Sequence, residues 1–164
     1  MKRRIFTVIL FVLGMAATGA FATVPSVEPP DSCAVCGMSR PGFAKSRMLI
    51  TYDDGSTFGT CSIACVSGEL AKKEKVKSVE VGDYTTSKLI DAKTAVWVIN
   101  PKKRGVMSAV AKWAFASKND AEAYLKKNGG KLATWDEALT AACEEKTDST
   151  KSGAPGCNCC NKKK

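Results

Sequence analysis

Arg47-Met48-Leu49-Ile50-Thr51-Tyr52, then Asp53-Asp54-Gly55, then Ser56-Thr57-Phe58-Gly59-Thr60-Cys61-Ser62-Ile63 is the stretch that decides the fold. Residues 47–52 alternate in character and are β-like, and Ser56–Thr60 returns as a second strand. The Asp-Asp-Gly step between them has hairpin chemistry, because Asp and Gly tolerate the turn conformations that other residues resist. Ser62 stands where an N-cap belongs, and Ile63, Val66 and Leu70 recur along one side of a helix that the pattern carries to about Lys73. Val76, Val79 and Val81 predict a further strand.

Downstream the same order returns. Ala95–Ile99 is a buried-looking strand, Pro101–Gly105 a basic turn, and Lys112–Ala116 a partner strand. Ser117-Lys118-Asn119-Asp120 starts a helix carrying Ala121, Tyr124 and Leu125, and Gly129-Gly130 stops it by supplying positions open to positive φ. Thr134-Trp135-Asp136-Glu137 has the form of a capping box and opens a last helix toward Cys143. The expected fold is α+β: two small tandem ββαβ units, about residues 33–92 and 93–143, with a cysteine-rich knuckle ahead of the first strand.

The ends read differently. Lys2, Arg3 and Arg4 precede an apolar run from Ile5 to about Met15, and small residues end in Ala20-Phe21-Ala22. That is the pattern of a secretory signal peptide over residues 1–22, cut after Ala22. An uncleaved N-terminal anchor is the alternative, since Ile5–Val24 is nearly long enough to span a bilayer. Residues 23–32 hold Pro25, Pro29 and Pro30 and form an extended lead-in. From Glu144 to Lys164 the chain turns to Lys, Thr, Ser and Gly without apolar period, and this Cys/Lys tail is expected to be disordered unless a metal or disulfide ties it. The expectation is a periplasmic, soluble protein after cleavage, with no stable membrane span.

The chain has 164 residues, a formal charge of +9, 8 cysteines and no histidine. Its cations are scattered rather than gathered with aromatics, so nucleic acid is not an expected partner. The lack of histidine removes Ser-His and Cys-His catalysis and any histidine general base, and the acidic residues show no paired-carboxylate spacing. Enzymatic activity is not expected.

Sulfur is what remains. Cys33-Ala34-Val35-Cys36-Gly37-Met38 places two thiols three positions apart in a loop, with a thioether beside them. Cys61 and Cys65 form a second pair, one at the end of the hairpin and one about a turn into the helix. Free N–H groups at a helix start lower a thiol's pKa, so the thiolate is expected there. A knuckle, a hairpin and a helix start could bring all four thiols together. Thiolate and thioether donors combined select soft ions, Cu(I) above all, while zinc is satisfied by thiolates alone. Each piece also has a plainer reading. The pairs could be disulfides of an exported protein. Met38 could be a surface residue, Met48 is a core residue, and Cys157-Asn158-Cys159-Cys160 is either a second clamp or a disulfide-prone tail. A thioredoxin-type centre is disfavoured, because Cys33 follows prolines instead of ending a strand.

The chain resembles the NosL family, the nitrous oxide reductase accessory proteins. The marks are Cys36-Gly37-Met38, the Asp54-Gly55 hairpin, Asp83-Tyr84-Thr85-Thr86 leading to Ile90-Asp91-Ala92, Ala95–Val98, Gly105-Val106-Met107, Trp113-Ala114-Phe115, and Gly129-Gly130 before Trp135. The resemblance implies a periplasmic Cu(I) carrier that supplies copper to nitrous oxide reductase or its maturation machinery, and it implies the same fold of two ββαβ units. Carried over by position, it implies Cys36, Met38 and Met107 as copper-holding sulfurs. The chain departs from the family in lacking a lipid-bearing cysteine and in having Val106 where proline is usual. Cys61-x-x-x-Cys65 is extra and resembles a loose version of the treble-cysteine motif called TRASH. Three readings stand at this stage. One is a metallochaperone with Cu(I) among Cys33, Cys36 and Met38, completed by Met107 or by Cys61 and Cys65. The others are a structural zinc site on four thiolates and a disulfide-stapled binding module.

Overall fold

The hairpin forms where its turn chemistry places it. In the computed structural model, which describes residues 27–72 and 75–150, β1 (Met48–Tyr52) and β2 (Thr57–Thr60) pair antiparallel, with Ile50 opposite Phe58. The turn between them is held by Asp54 Oδ1, which accepts from the Ser56 amide at 2.9 Å, and Gly55 takes φ +83°. Helix α1 (Ile63–Leu70) follows, then β3 (Val76–Gly82), which returns to the free edge of β1.

The second unit repeats this wiring. β5 (Val96–Asn100) pairs with β6 (Ala111–Phe115), helix α2 (Lys118–Asn128) crosses, and β7 (Lys131–Ala133) returns to the other edge of β5. Both units are therefore ββαβ, with the first strand at the centre: β2-β1-β3 in one and β6-β5-β7 in the other. The first sheet gains an edge strand that the sequence pattern does not reveal, β4 (Leu89–Asp91), paired with β3.

The caps explain the helix ends. Ser117 Oγ accepts from the Asn119 amide at 3.2 Å, and Gly129 closes α2 at φ +75°, its amide donating to the Leu125 carbonyl. The Thr134 capping box is reciprocal, since Glu137 Oε2 accepts from the Thr134 amide and Thr134 Oγ1 from the Glu137 amide. Ser62 departs from expectation: it holds the N-cap position, but its hydroxyl caps nothing. Helix α1 also ends at Leu70, short of Lys73. Helix α3 (Trp135–Thr150) does the opposite and runs on past Glu144, where the composition changes. Glu145 gives this extension a purpose, because its carboxylate takes the Lys112 ammonium and the Ala109 amide and so fastens α3 to the loop before β6.

One core joins the units. Met48, Ile50, Val66, Val79 and Val81 of the first pack with Trp97, Ala114, Ala138 and Ala142 of the second. A second cluster surrounds Tyr84, whose ring lies 5.1 Å from Trp113, 5.3 Å from Phe115 and 5.1 Å from Tyr124. Asp83 stitches the seam. It is buried, with Oδ1 accepting from the Ala116 amide at 3.0 Å and Oδ2 from the Thr86 amide at 2.8 Å. Burial opposes its ionisation, but the Thr86 hydroxyl and the amides of Ala116, Thr86 and Thr85 hold it below the usual aspartate range. Among the described residues no helix is long and apolar enough to cross a membrane. The signal-peptide reading of residues 1–22 and the Cys157–Cys160 clamp lie outside the described residues.

Candidate metal centre

The knuckle closes on itself. The Cys33 amide donates to the Met38 carbonyl at 2.8 Å, the Gly37 amide to the Cys33 carbonyl at 2.9 Å, and Gly37 sits at φ +74°, where side chains are disfavoured. The Ala34 amide then donates to the Gly59 carbonyl at 2.9 Å, which lays the knuckle against β2 just ahead of Cys61. From the other side α1 brings Cys65 in, its amide donating to the Ser62 carbonyl at 3.1 Å.

These three elements make the two cysteine pairs one cluster. The Sγ atoms of Cys33, Cys36, Cys61 and Cys65 all lie within 4.8 Å of one another. Cys36 and Cys61 are 3.5 Å apart, Cys61 and Cys65 3.7 Å, and Cys36 and Cys65 3.8 Å. A disulfide needs about 2.05 Å, so these are thiols, as all four cysteines are in the structure. A tetrahedral site with metal–sulfur bonds of about 2.3 Å has sulfur–sulfur edges of about 3.8 Å. The three edges among Cys36, Cys61 and Cys65 already have that length, and Cys33 lies within 4.8 Å of all three.

Met38, Phe43 and Val106 pack against the cluster. Met38 therefore stands beside the thiols, as its place after Cys36-Gly37 predicts. Met107 is placed differently: it is 54% exposed, takes φ +55°, and lines a cavity of about 410 Å³ with Ala64 and Ala142. It is its neighbour Val106 that reaches the sulfurs.

The electrostatics differ from the helix-start expectation. Cys61 carries a raised pKa, chiefly because its thiol hydrogen-bonds with Cys65, and also because it is buried. Cys36 is raised as well, by burial first and then by Cys33 and Cys61. The acidic thiol is Cys33. Burial opposes its ionisation, but the backbone N–H groups of Cys36, Val35 and Cys61 outweigh that and bring it to about 7. Two of those donors belong to the knuckle, a signal present in the Cys-x-x-Cys-Gly spacing; the third comes from the hairpin end and exists only after folding. Cys33, Cys61 and Cys65 are buried while Cys36 is half-buried, so the cage faces outward at Cys36. Metal binding to thiols releases their protons, and Cys33 is the sulfur whose surroundings most ease that release.

A family model for NosL matches residues 24–143. Among solved structures, the copper chaperone NosL from Shewanella denitrificans is similar, with 26% sequence identity over 71% of this chain and 96% of that one, and a TM-score of 0.56. No curated protein sequence matches.

Proposed function

The chain belongs to the NosL family, and we propose that it is an exported carrier that holds Cu(I) on cysteine and methionine sulfur and passes it to a copper-receiving protein. The observation that carries this reading is the convergence of four thiols within 4.8 Å with the Met38 side chain against them. Four thiolates alone would suit many ions; a thioether at their side favours a soft monovalent one. The copper chaperone from Shewanella denitrificans supports the same cargo.

Cys33, Cys36, Cys61 and Cys65 are the ligands proposed to enclose the ion, with Met38 as the thioether beside them. Cys36 is the half-buried sulfur of the cage and Met107 an exposed one nearby. A partner's thiol would therefore attack at the Cys36 face, and transfer would proceed by replacing one sulfur at a time. Nitrous oxide reductase or its maturation machinery is the receiver that family membership suggests. The basic and apolar opening of residues 1–22 supports export to the periplasm. We read the chain as a carrier and not an enzyme.

A structural zinc site is the second reading, favoured by the sulfur–sulfur spacings of 3.5, 3.7 and 3.8 Å, close to the tetrahedral edge. Anaerobic titration of the reduced protein with Cu(I) and Zn(II) against competing chelators separates the two. The carrier reading expects Cu(I) to win, to weaken when Met38→Ala is introduced, and to survive truncation after Thr150. Tight zinc that is indifferent to Met38→Ala would establish the zinc staple instead.

A further inference from the structure

Two charged side chains next to the knuckle are buried: Arg40 is 0% exposed and Arg47 4%. Both close on one acid, Glu28, in the lead-in. Arg40 Nη2 pairs with Glu28 Oε1, and Arg47 Nη2 with Glu28 Oε2 at 2.9 Å. Among the described residues Glu28 is the one acid within salt-bridge distance of either guanidinium.

The remaining donors of Arg40 show what the pair is for. Nη1 donates to the carbonyls of Glu28 at 2.7 Å and Pro30 at 2.6 Å, Nε to the Thr60 carbonyl at 3.3 Å, and Nη2 to the Met48 carbonyl at 3.3 Å. One guanidinium thus spans the lead-in, the start of β1 and the end of β2, one residue before Cys61. Its own backbone amide donates to the Asp31 carbonyl at 2.7 Å, and Ser32 bridges Ser39 across the base of the knuckle. Arg47 Nη1 extends the lock to the carbonyls of Ala44 and Ser87, each at 2.6 Å. The fit leaves no slack: a Cβ on Gly59 would fall 2.8 Å from the guanidinium carbon of Arg40.

We infer that Glu28 is a positioning residue for the metal centre, fixing through Arg40 and Arg47 the knuckle that carries Cys33 and Cys36 against the hairpin end that carries Cys61. The inference rests on the proposal that these thiols hold a metal. Charge alone predicts the opposite sign. Removing the carboxylate leaves two buried cations near the sulfurs, which would favour thiolates and tighten binding; loss of position must loosen it.

The test titrates reduced wild type, Glu28→Gln and Glu28→Ala with Cu(I) and separately with Co(II). Outer partners of metal ligands are worth about 10- to 100-fold in affinity, so Glu28→Ala is expected to weaken both ions by that factor. Glu28→Gln, which keeps part of the hydrogen bonding, should fall between. The visible ligand-field bands of Co(II) should shift in Glu28→Ala, a change that lower stability alone would not produce. Wild-type affinity and bands in both variants, or tighter binding, would overturn the inference. Should Glu28→Ala fail to fold, hydrogen exchange of unaltered protein decides: coupling is reciprocal, so bound metal must slow exchange at the Ala34 and Arg40 amides, and unchanged rates there would refute the role. Wild type that holds Co(II) but not Cu(I) would sink the copper reading while leaving Glu28 to be judged on Co(II).

Discussion

The two ββαβ units share strand order and differ in what they do with the start of their helix. In the second, Ser117 caps α2 through its hydroxyl, and α2 shows the core only Ala121 and Tyr124 among its buried residues. In the first, Ser62 spends no hydroxyl on the cap, and α1 buries Ile63, Ala64, Cys65, Val66 and Ser67 in succession. Helix α3 packs against α1, whose first five residues are all buried, while most of α2 is exposed or half-buried. One wiring thus serves two ends. The second unit caps its helix start and fills its interior with an aromatic cluster; the first gives its interior to the shared core and uses its helix start to bring Cys65 to Cys61 and the knuckle.

That contrast breaks most sharply at the sulfurs. Cys61→Ser removes the proposed ligand whose sulfur touches both Cys36 and Cys65. Its effect on Cu(I) affinity should exceed the roughly 100-fold ceiling expected for outer partners, as read by competition with a chelator. Retained affinity would mean that the cage is not the site.

The seam comes next. Asp83→Asn should cost about 2 kcal/mol at pH 7, the worth of a buried charge-assisted hydrogen bond, while Cu(I) affinity stays unchanged. The pH dependence has a definite sign. The folded pKa of Asp83 lies below its ordinary value, so its contribution is complete above about pH 4 and is lost as pH falls through the folded value. Denaturant melts should therefore show the gap between wild type and Asp83→Asn closing in acid. A gap that widens in acid would contradict the assignment.

The smallest effect sharpens the contrast at the caps themselves. Ser117→Ala should cost about 1 kcal/mol, whereas Ser62→Ala should forfeit no capping energy, since its hydroxyl makes no cap bond. Equal losses in denaturant melts, together with a frayed α1, would erase the distinction.

Much of this was legible in the sequence. Asp54-Gly55, Gly129-Gly130 and the Thr134–Glu137 box are local chemistry, and local chemistry survives folding. A knuckle, a hairpin and a helix start could bring Cys33, Cys36, Cys61 and Cys65 together, with disulfide pairing as the open alternative, and the structure places the four sulfurs within 4.8 Å of one another as free thiols. What escaped depends on distant partners. β4 is three residues long, with no alternation to detect. Nothing in the local sequence around Arg40 and Arg47 marks them as buried, and only the fold reveals that Glu28 and a set of carbonyls satisfy them. Helix α3 outruns its composition because Glu145 finds Lys112, far away in sequence. The acidity of Cys33 needs an amide from Cys61, on another element.

X-ray absorption at the copper edge of the Cu(I)-loaded protein addresses the metal's surroundings directly. A shell made wholly of sulfur, altered by Met38→Ala and dismantled by Cys61→Ser, is what the carrier assignment predicts. A shell containing oxygen or nitrogen, or one that neither substitution disturbs, would contradict it.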